Sequence, residues 1–167
     1  MADIFFDISK LDDEELFLKS TELLYFAYRD YIAWPDEVLE KYSFGRAHHR
    51  VIFFVSQNPG MTVAELLKVL NITKQSLSRV LSALIDEGYI VQDIGATDRR
   101  KRLLNLTEKG RELLAEVSEH QKAQMIRACK SAGTEATEGF WKVLMELINE
   151  TNQDEIKKLI FKKNNSN

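Results

Sequence analysis

Apolar side chains recur at three- and four-residue spacing along most of this chain, and that rhythm predicts helices. Leu16, Leu23, Leu24, Ala27, Tyr31 and Ile32 form the first broad stripe, with Tyr25, Tyr28 and Trp34 adding aromatics beyond it. Asp12 followed by Glu15 is an acidic capping signal that starts this helix. The residue before a proline disfavours the helical region, so the helix is expected to end near Ala33, ahead of Trp34-Pro35. Residues 35–43 then form a connection with at most a partial helical turn. Ser43 is the expected cap of a second helix over 44–57. Its buried faces are Ala47, His48, Val51, Ile52, Phe54 and Val55, and Asn58-Pro59-Gly60 stops it.

The middle of the chain changes tempo. Thr62-Val63-Ala64-Glu65 fits a capping box, which opens a short helix carrying Leu66, Leu67 and Leu70. Asn71-Ile72 makes a tight turn. Thr73 caps the next helix over 74–87, and Gly88 supplies the left-handed residue that ends it. Tyr89–Ile94 and Arg102–Leu106 are short β-prone runs flanking a basic loop, 95–101, and they predict a hairpin. Helical spacing then resumes. Thr107 caps a helix with Leu113, Leu114, Val117, Gln121, Gln124 and Ala128, reaching about Lys130. Ser131-Ala132-Gly133 breaks it. Thr134 is expected to cap a further helix whose face is Phe140, Val143, Leu144, Leu147 and Ile148. Ile156, Leu159 and Ile160 suggest a short last helix before a polar tail, 162–167.

Composition narrows the class. The 44% hydrophobic content supports one packed domain, or a small domain with an extended helical appendage. Two prolines and seven glycines exclude a disordered or collagen-like chain. No apolar run is long enough for a bilayer, and the N-terminus carries acids where a secretory leader has bases, so a cytoplasmic protein is expected. The single cysteine, Cys129, excludes an intramolecular disulfide and a cysteine-rich zinc site, and is read as a buried, unreactive thiol, with a redox switch as the alternative.

Charge is unevenly spread. The formal net charge is −3 overall. Residues 1–43 hold 4 Lys/Arg against 11 Asp/Glu, residues 44–111 hold 11 against 6, and residues 112–167 hold 8 against 9. The positive stretch is the one that carries the helix–turn–helix pattern. Screening makes distant charges matter little, so such a patch attracts phosphates even on an acidic protein.

On the 74–87 helix, Leu77, Val80, Leu81 and Leu84 share one face. Opposite lie Gln75, Arg79, Ser82 and Asp86, flanked by Ser76 and Ser78. Gln pairs bidentately with adenine, Arg with guanine, and Ser with either. A helix-turn-helix presents the N-terminal residues of its second helix to the bases, and helix N-termini offer N–H groups to phosphates. Thr73, Lys74, Gln75, Ser76, Ser78 and Arg79 are therefore the candidate DNA contacts. The hairpin loop adds Arg99, Arg100 and Lys101, followed by Arg102. Such a basic finger suits a narrow minor groove. Asp98 would repel phosphate, so its expected task is to orient an arginine by a forked pair.

These stretches, TVAELLKVLNITKQSLSRVLSALIDEGYI and then TDRRKRLLNLTEKG, closely resemble the MarR family of winged helix-turn-helix regulators. The Asp-Arg-Arg wing followed by Leu-Thr-x-x-Gly is the more specific part. The resemblance implies a fold that is mainly α with a small β-hairpin wing. It also implies a homodimer in which helices from both termini interleave, so that two winged domains meet the half-sites of a palindrome. Residues 1–43 and 111–167 would be N- and C-terminal helical dimerisation segments, and 44–110 the winged helix-turn-helix DNA-binding domain. Arg100 would be the wing-tip arginine, braced by Asp98, with Arg99 the more variable position. Ile4, Phe5, Phe6 and Ile8 would pack either within a subunit or across the dimer.

Proteins of this kind often hold small aromatic or anionic ligands between the dimer helices and the winged domain. Tyr28, Tyr31, Trp34, Arg46, His48 and His49 are the candidates here, as cations near aromatics. Adjacent histidines diverge by about 100° on a helix, so His48 and His49 cannot share one metal, and neither a metal nor a cofactor is expected. HExxH, G-x-S-x-G and phosphate-loop patterns are missing, which argues against an enzyme. The expected function is a sequence-specific double-stranded DNA-binding repressor, a homodimer released by a small anionic aromatic ligand. The rival is a winged-helix protein-interaction module that uses the basic wing for docking. Steep salt dependence of DNA affinity separates the two.

Overall fold

The computed structural model describes residues 7–94 and 101–161. Seven helices and three strands follow a short 3-10 turn at Ile8–Lys10 among those residues. They are α1 (Asp13–Glu40), α2 (Arg46–Gln57), β1 (Met61–Thr62), α3 (Val63–Leu70), α4 (Lys74–Asp86), β2 (Ile90–Ile94), β3 (Arg102–Leu106), α5 (Glu108–Ala132), α6 (Thr134–Leu147) and α7 (Glu150–Phe161). The chain is mainly α with a small sheet, as the pattern predicts. It divides into two compact units, Met1–Lys122 and Ala123–Asn167.

In the first unit, α1 overruns its expected end. It continues through Pro35 to Glu40, where a connection was expected over 35–43. A proline inside a helix leaves the carbonyl four residues back without its amide, at a cost of about 3 kcal/mol or more. That carbonyl is Tyr31 O, and the Gln121 side-chain amide of α5 donates to it at 3.0 Å. Beyond the proline, Val38 and Leu39 are fully buried in the core, each contributing on the order of 1.5–3 kcal/mol. The substitute bond and this burial together keep the last turns helical.

The start of α2 also differs from expectation. Ser43 sits in the left-handed region at φ 58° and does not cap. Gly45 takes the capping position, and its amide donates to His48 Nδ1 at 3.1 Å. Thr134 likewise lies inside α6, with Gly133 before it at φ 85°. The other expected caps are present. Asp12 accepts from the Glu15 amide at 2.8 Å, and Thr107 accepts from the Gly110 amide at 3.1 Å.

The sheet has three antiparallel strands in the order β1-β3-β2, one more than the expected hairpin. Met61 pairs with Leu104 and Thr62 with Leu103, while β2 and β3 run in register from Ile90↔Leu106 to Ile94↔Arg102. A two-residue strand has no alternation to betray it in a sequence. One core joins these parts: Val51, Ile52 and Val55 of α2, Leu66 of α3, Leu77, Leu81 and Leu84 of α4, Ile90 and Leu104 of the sheet, and Leu113 and Val117 of α5.

The first half of α1 is different. Leu16, Phe17, Leu23, Leu24, Tyr25 and Phe26 are all exposed, Leu23 by 65%. In the second unit, Phe140, Trp141, Val143, Leu144 and Leu147 of α6 are exposed too. Cys129 is half-buried. Among the described residues, no helix is long and apolar enough to cross a membrane, and no cluster of His, Cys, Asp or Glu could hold a metal ion.

Burial lowers the pKa of both His48 and His49 from the ordinary 6.5. Asp36 pulls His49 the other way, and the buried His49 Nε2 has no hydrogen-bond partner among the described residues. The folded state therefore binds fewer protons than the unfolded one at these positions. Their stabilising contribution is complete above pH 6.5 and is lost as pH falls through the lowered folded values. The urea midpoint is expected to drop between pH 7.5 and 5.5, and His49→Phe is expected to flatten that dependence. A pH profile unchanged by the substitution would remove His49 from the effect.

Candidate nucleic-acid interface

Local rules build the helix-turn-helix. The Thr62 side chain accepts from the Glu65 amide at 3.2 Å, and Glu65 Oε2 accepts from the Thr62 amide at 2.7 Å, so α3 starts on a reciprocal box. Asn71, at φ 49°, closes α3, and its amide reaches Leu67 O at 2.9 Å. Asn is among the few residues that enter the left-handed region readily. Ile72, half-buried, plugs the turn. Thr73 then caps α4. Its oxygen accepts from the Ser76 amide at 3.2 Å, and its hydroxyl donates to Ser76 Oγ at 2.9 Å. Of the candidate contacts, Thr73 and Ser76 therefore already serve the helix start, with both side chains still exposed.

α4 shows two distinct faces. Leu77, Leu81 and Leu84 are buried. Lys74, Gln75, Ser78, Arg79 and Ser82 line an open, shallow cleft of about 620 Å³ on the other side. Cation, amide, hydroxyl and guanidinium groups thus lie within one patch on a rigid element. Lys101 and Arg102 stand exposed at the foot of β3. Asp98, Arg99 and Arg100 lie outside the described residues. Asn105 donates to Asp93 at 2.8 Å across the ribbon, a brace that strand alternation alone does not reveal.

The Leu-Thr-x-x-Gly stretch has a physical account. Thr107 caps α5, and its hydroxyl lies 2.7 Å from Gly88 O and 3.2 Å from Tyr89 O. Gly110 follows because a Cβ there would sit 2.1 Å from Tyr89 O. Lys109 Nζ donates to Glu87 O at 2.8 Å and stands 4.1 Å over the centre of the Tyr89 ring. Three residues at the start of α5 therefore grip the segment in which α4 ends. Lys109 went unremarked in the sequence because its partners lie some twenty residues away.

The six candidate ligand residues do not form one cluster. Arg46 is held by Asp36, with Nε at 3.1 and 3.0 Å and Nη2 at 2.6 Å from the carboxylate. The Asp36 hydrogen bonds are the main cause that raises the Arg46 pKa, and Tyr28 adds to it. Asp36 also acts on His49. Arg46 is thus paired with Asp36, a residue absent from the candidate set, and the charges of that pair act on Tyr28 and His49. Trp34 instead stacks on His120 at 5.3 Å, and His48 stacks on Phe44 at 4.6 Å while capping α2. Tyr31 is half-buried, and the same burial raises its hydroxyl pKa.

Comparison with known proteins accords with this geometry. The model of the MarR family matches residues 42–101. The HTH-type transcriptional regulator PetP of Rhodobacter capsulatus is 48% identical over 134 residues, 80% of each chain. Among solved structures, Streptococcus pneumoniae FabT in complex with DNA superposes with a TM-score of 0.68 at 22% identity, covering 78% of this chain and 94% of that one. The Mycobacterium tuberculosis MarR family protein Rv2887, in complex with p-aminosalicylic acid, gives a TM-score of 0.53 at 22% identity over 77% of this chain and 98% of that one. Those two likenesses speak to fold. The PetP match spans both units and the family model covers the helix-turn-helix, so the chain belongs to the MarR family of transcriptional regulators and is a regulator, not an enzyme.

Proposed function

We propose that this protein is a cytoplasmic repressor that binds a palindromic double-stranded operator as a homodimer. The observation that carries the reading is the outward face of α4, where Lys74, Gln75, Ser78 and Arg79 line one open cleft over a fully apolar inner face. Gln75 and Arg79 read bases, while Lys74, Ser76 and Ser78 position the helix through base edges and phosphates. Thr73 supports them from the cap. Lys101 and the wing residues Arg99 and Arg100, with Asp98 as brace, reach the neighbouring minor groove. FabT, captured on DNA, supports this docking by fold.

The homodimer reading draws on the exposed apolar residues of α1 and α6, too many for a soluble monomer to leave in water. Charge supports it as well. The α6–α7 groove holds Trp141, Met145 and Phe161 beside three cations, Lys142, Lys157 and Lys158, against one acid, Glu138, which suits the acidic, apolar 1–43 segment of a second copy. For release, the site of choice is the Tyr28–Arg46–His49 group. A carboxylate-bearing aromatic ligand would displace Asp36 from Arg46 there, and the Rv2887 complex with an aromatic acid supports that ligand class.

The test is selection of duplexes from a random pool by the purified dimer, repeated with Gln75→Ala and Arg79→Ala. Each variant is expected to relax preference at one base position, costing about tenfold there, while affinity for other positions holds. Wild-type affinity is expected to fall steeply with salt. Uniform loss across all sequences would reduce both residues to phosphate contacts. Salt-insensitive or undetectable binding would favour the protein-interaction module.

A further inference from the structure

We propose that Lys109 is a positioning residue for the reading helix: it ties the C-terminal end of α4 to the first turn of α5 and so sets the angle at which the α4 face is presented. This rests on the reading of α4 as the DNA-facing helix. The Lys109 ammonium donates to Glu87 O, the carbonyl at the C-cap of α4, at 2.8 Å. That end of the helix carries the negative pole of the backbone dipole, which a cation satisfies. The same ammonium stands over the Tyr89 ring, 4.1 Å from its centre. Tyr89 is a fixed base. Its side chain is 3% exposed and its ring is held edge-to-face by Phe44 at 5.1 Å and Tyr42 at 6.5 Å.

Lys109 is an odd choice for its own helix. It lies in the first turn of α5, where the dipole disfavours a cation. Its placement makes sense from the side of α4. Thr107 secures the same junction with its hydroxyl on the Gly88 and Tyr89 carbonyls and Gly110 by its close approach to Tyr89 O, but neither is hydrogen-bonded to Glu87. Lys109 alone of the three reaches the terminal carbonyl of the helix that carries Gln75 and Arg79.

Lys109→Met keeps the aliphatic stem and removes the donor and charge, while Lys109→Arg keeps both. The probes are a duplex that the wild-type protein itself enriches from a random pool and a scrambled duplex of equal length. Lys109→Met is expected to lower the ratio of specific to non-specific affinity about fivefold. The slope of log affinity against log salt stays unchanged, and Lys109→Arg restores the ratio. A slope reduced by about one, with equal loss on both duplexes, would make Lys109 a phosphate contact and overturn the proposal. An unchanged ratio would overturn it as well. If the wild-type protein enriches no duplex, the reading of α4 itself fails. Enrichment by wild type with Lys109→Met unaffected sinks only the positioning role.

Discussion

Gly110→Ala is expected to destabilise the protein by about 3 kcal/mol, a fall of roughly 10 °C in the thermal midpoint. The added methyl would meet Tyr89 O at 2.1 Å and Tyr89 C at 3.1 Å. Both are backbone atoms, so no side chain can swing aside. Nor can the segment retreat easily, because Thr107 holds Gly88 and Tyr89 by their carbonyls and the Tyr89 amide is bonded to Leu84 O at 2.8 Å. Relief requires α5 to lift from the junction, which would uncover Leu106 and Leu113 in the core. Differential scanning calorimetry checks this. A midpoint within 2 °C of wild type would mean that α5 rotates away at little cost.

The second large effect is a coupling. Gln121→Leu is expected to cost about 2 kcal/mol, because it strips the Tyr31 carbonyl of the donor that replaces the missing amide of Pro35. In a Pro35→Ala background the helix recovers its own amide at position 35. The same Gln121→Leu change is then expected to cost less than about 0.5 kcal/mol. Urea denaturation of the four proteins gives the cycle. Equal losses in both backgrounds would assign Gln121 to packing alone.

This coupling also explains what was legible in the sequence. Thr62 with Glu65, Thr73, Gly88 and Thr107 act on residues three or four positions away or on their own backbone, so reading neighbours along the chain finds them. The α4 face was legible for the same reason, because helical spacing separates Leu77, Leu81 and Leu84 from Gln75 and Arg79. The passage of α1 through Pro35 depends on a side chain 90 positions on, and no local rule contains it. Gly45 replaced Ser43 as cap because His48 reaches back to its amide. Asp36 escaped notice because its partner, Arg46, lies on another helix, so an aspartate on α1 looks like any solvated acid. Lys109 escaped for the matching reason on α5. Asp98, Arg99 and Arg100 keep only their reading from sequence.

Thr62 holds two posts at once. It is the last residue of β1, paired with Leu103, and it caps α3. The turn-helix and the ribbon therefore share a residue at one edge, and the junction of α4 with α5 joins them at the other. A body laced at both edges has little internal give. If the α4 face docks on DNA as proposed, a site that departs from ideal groove width would be met with little flexing of these parts against each other. More of the compliance would then come from the duplex, whose cost of bending depends on its sequence. Base pairs that no side chain touches would then still affect which sites are occupied.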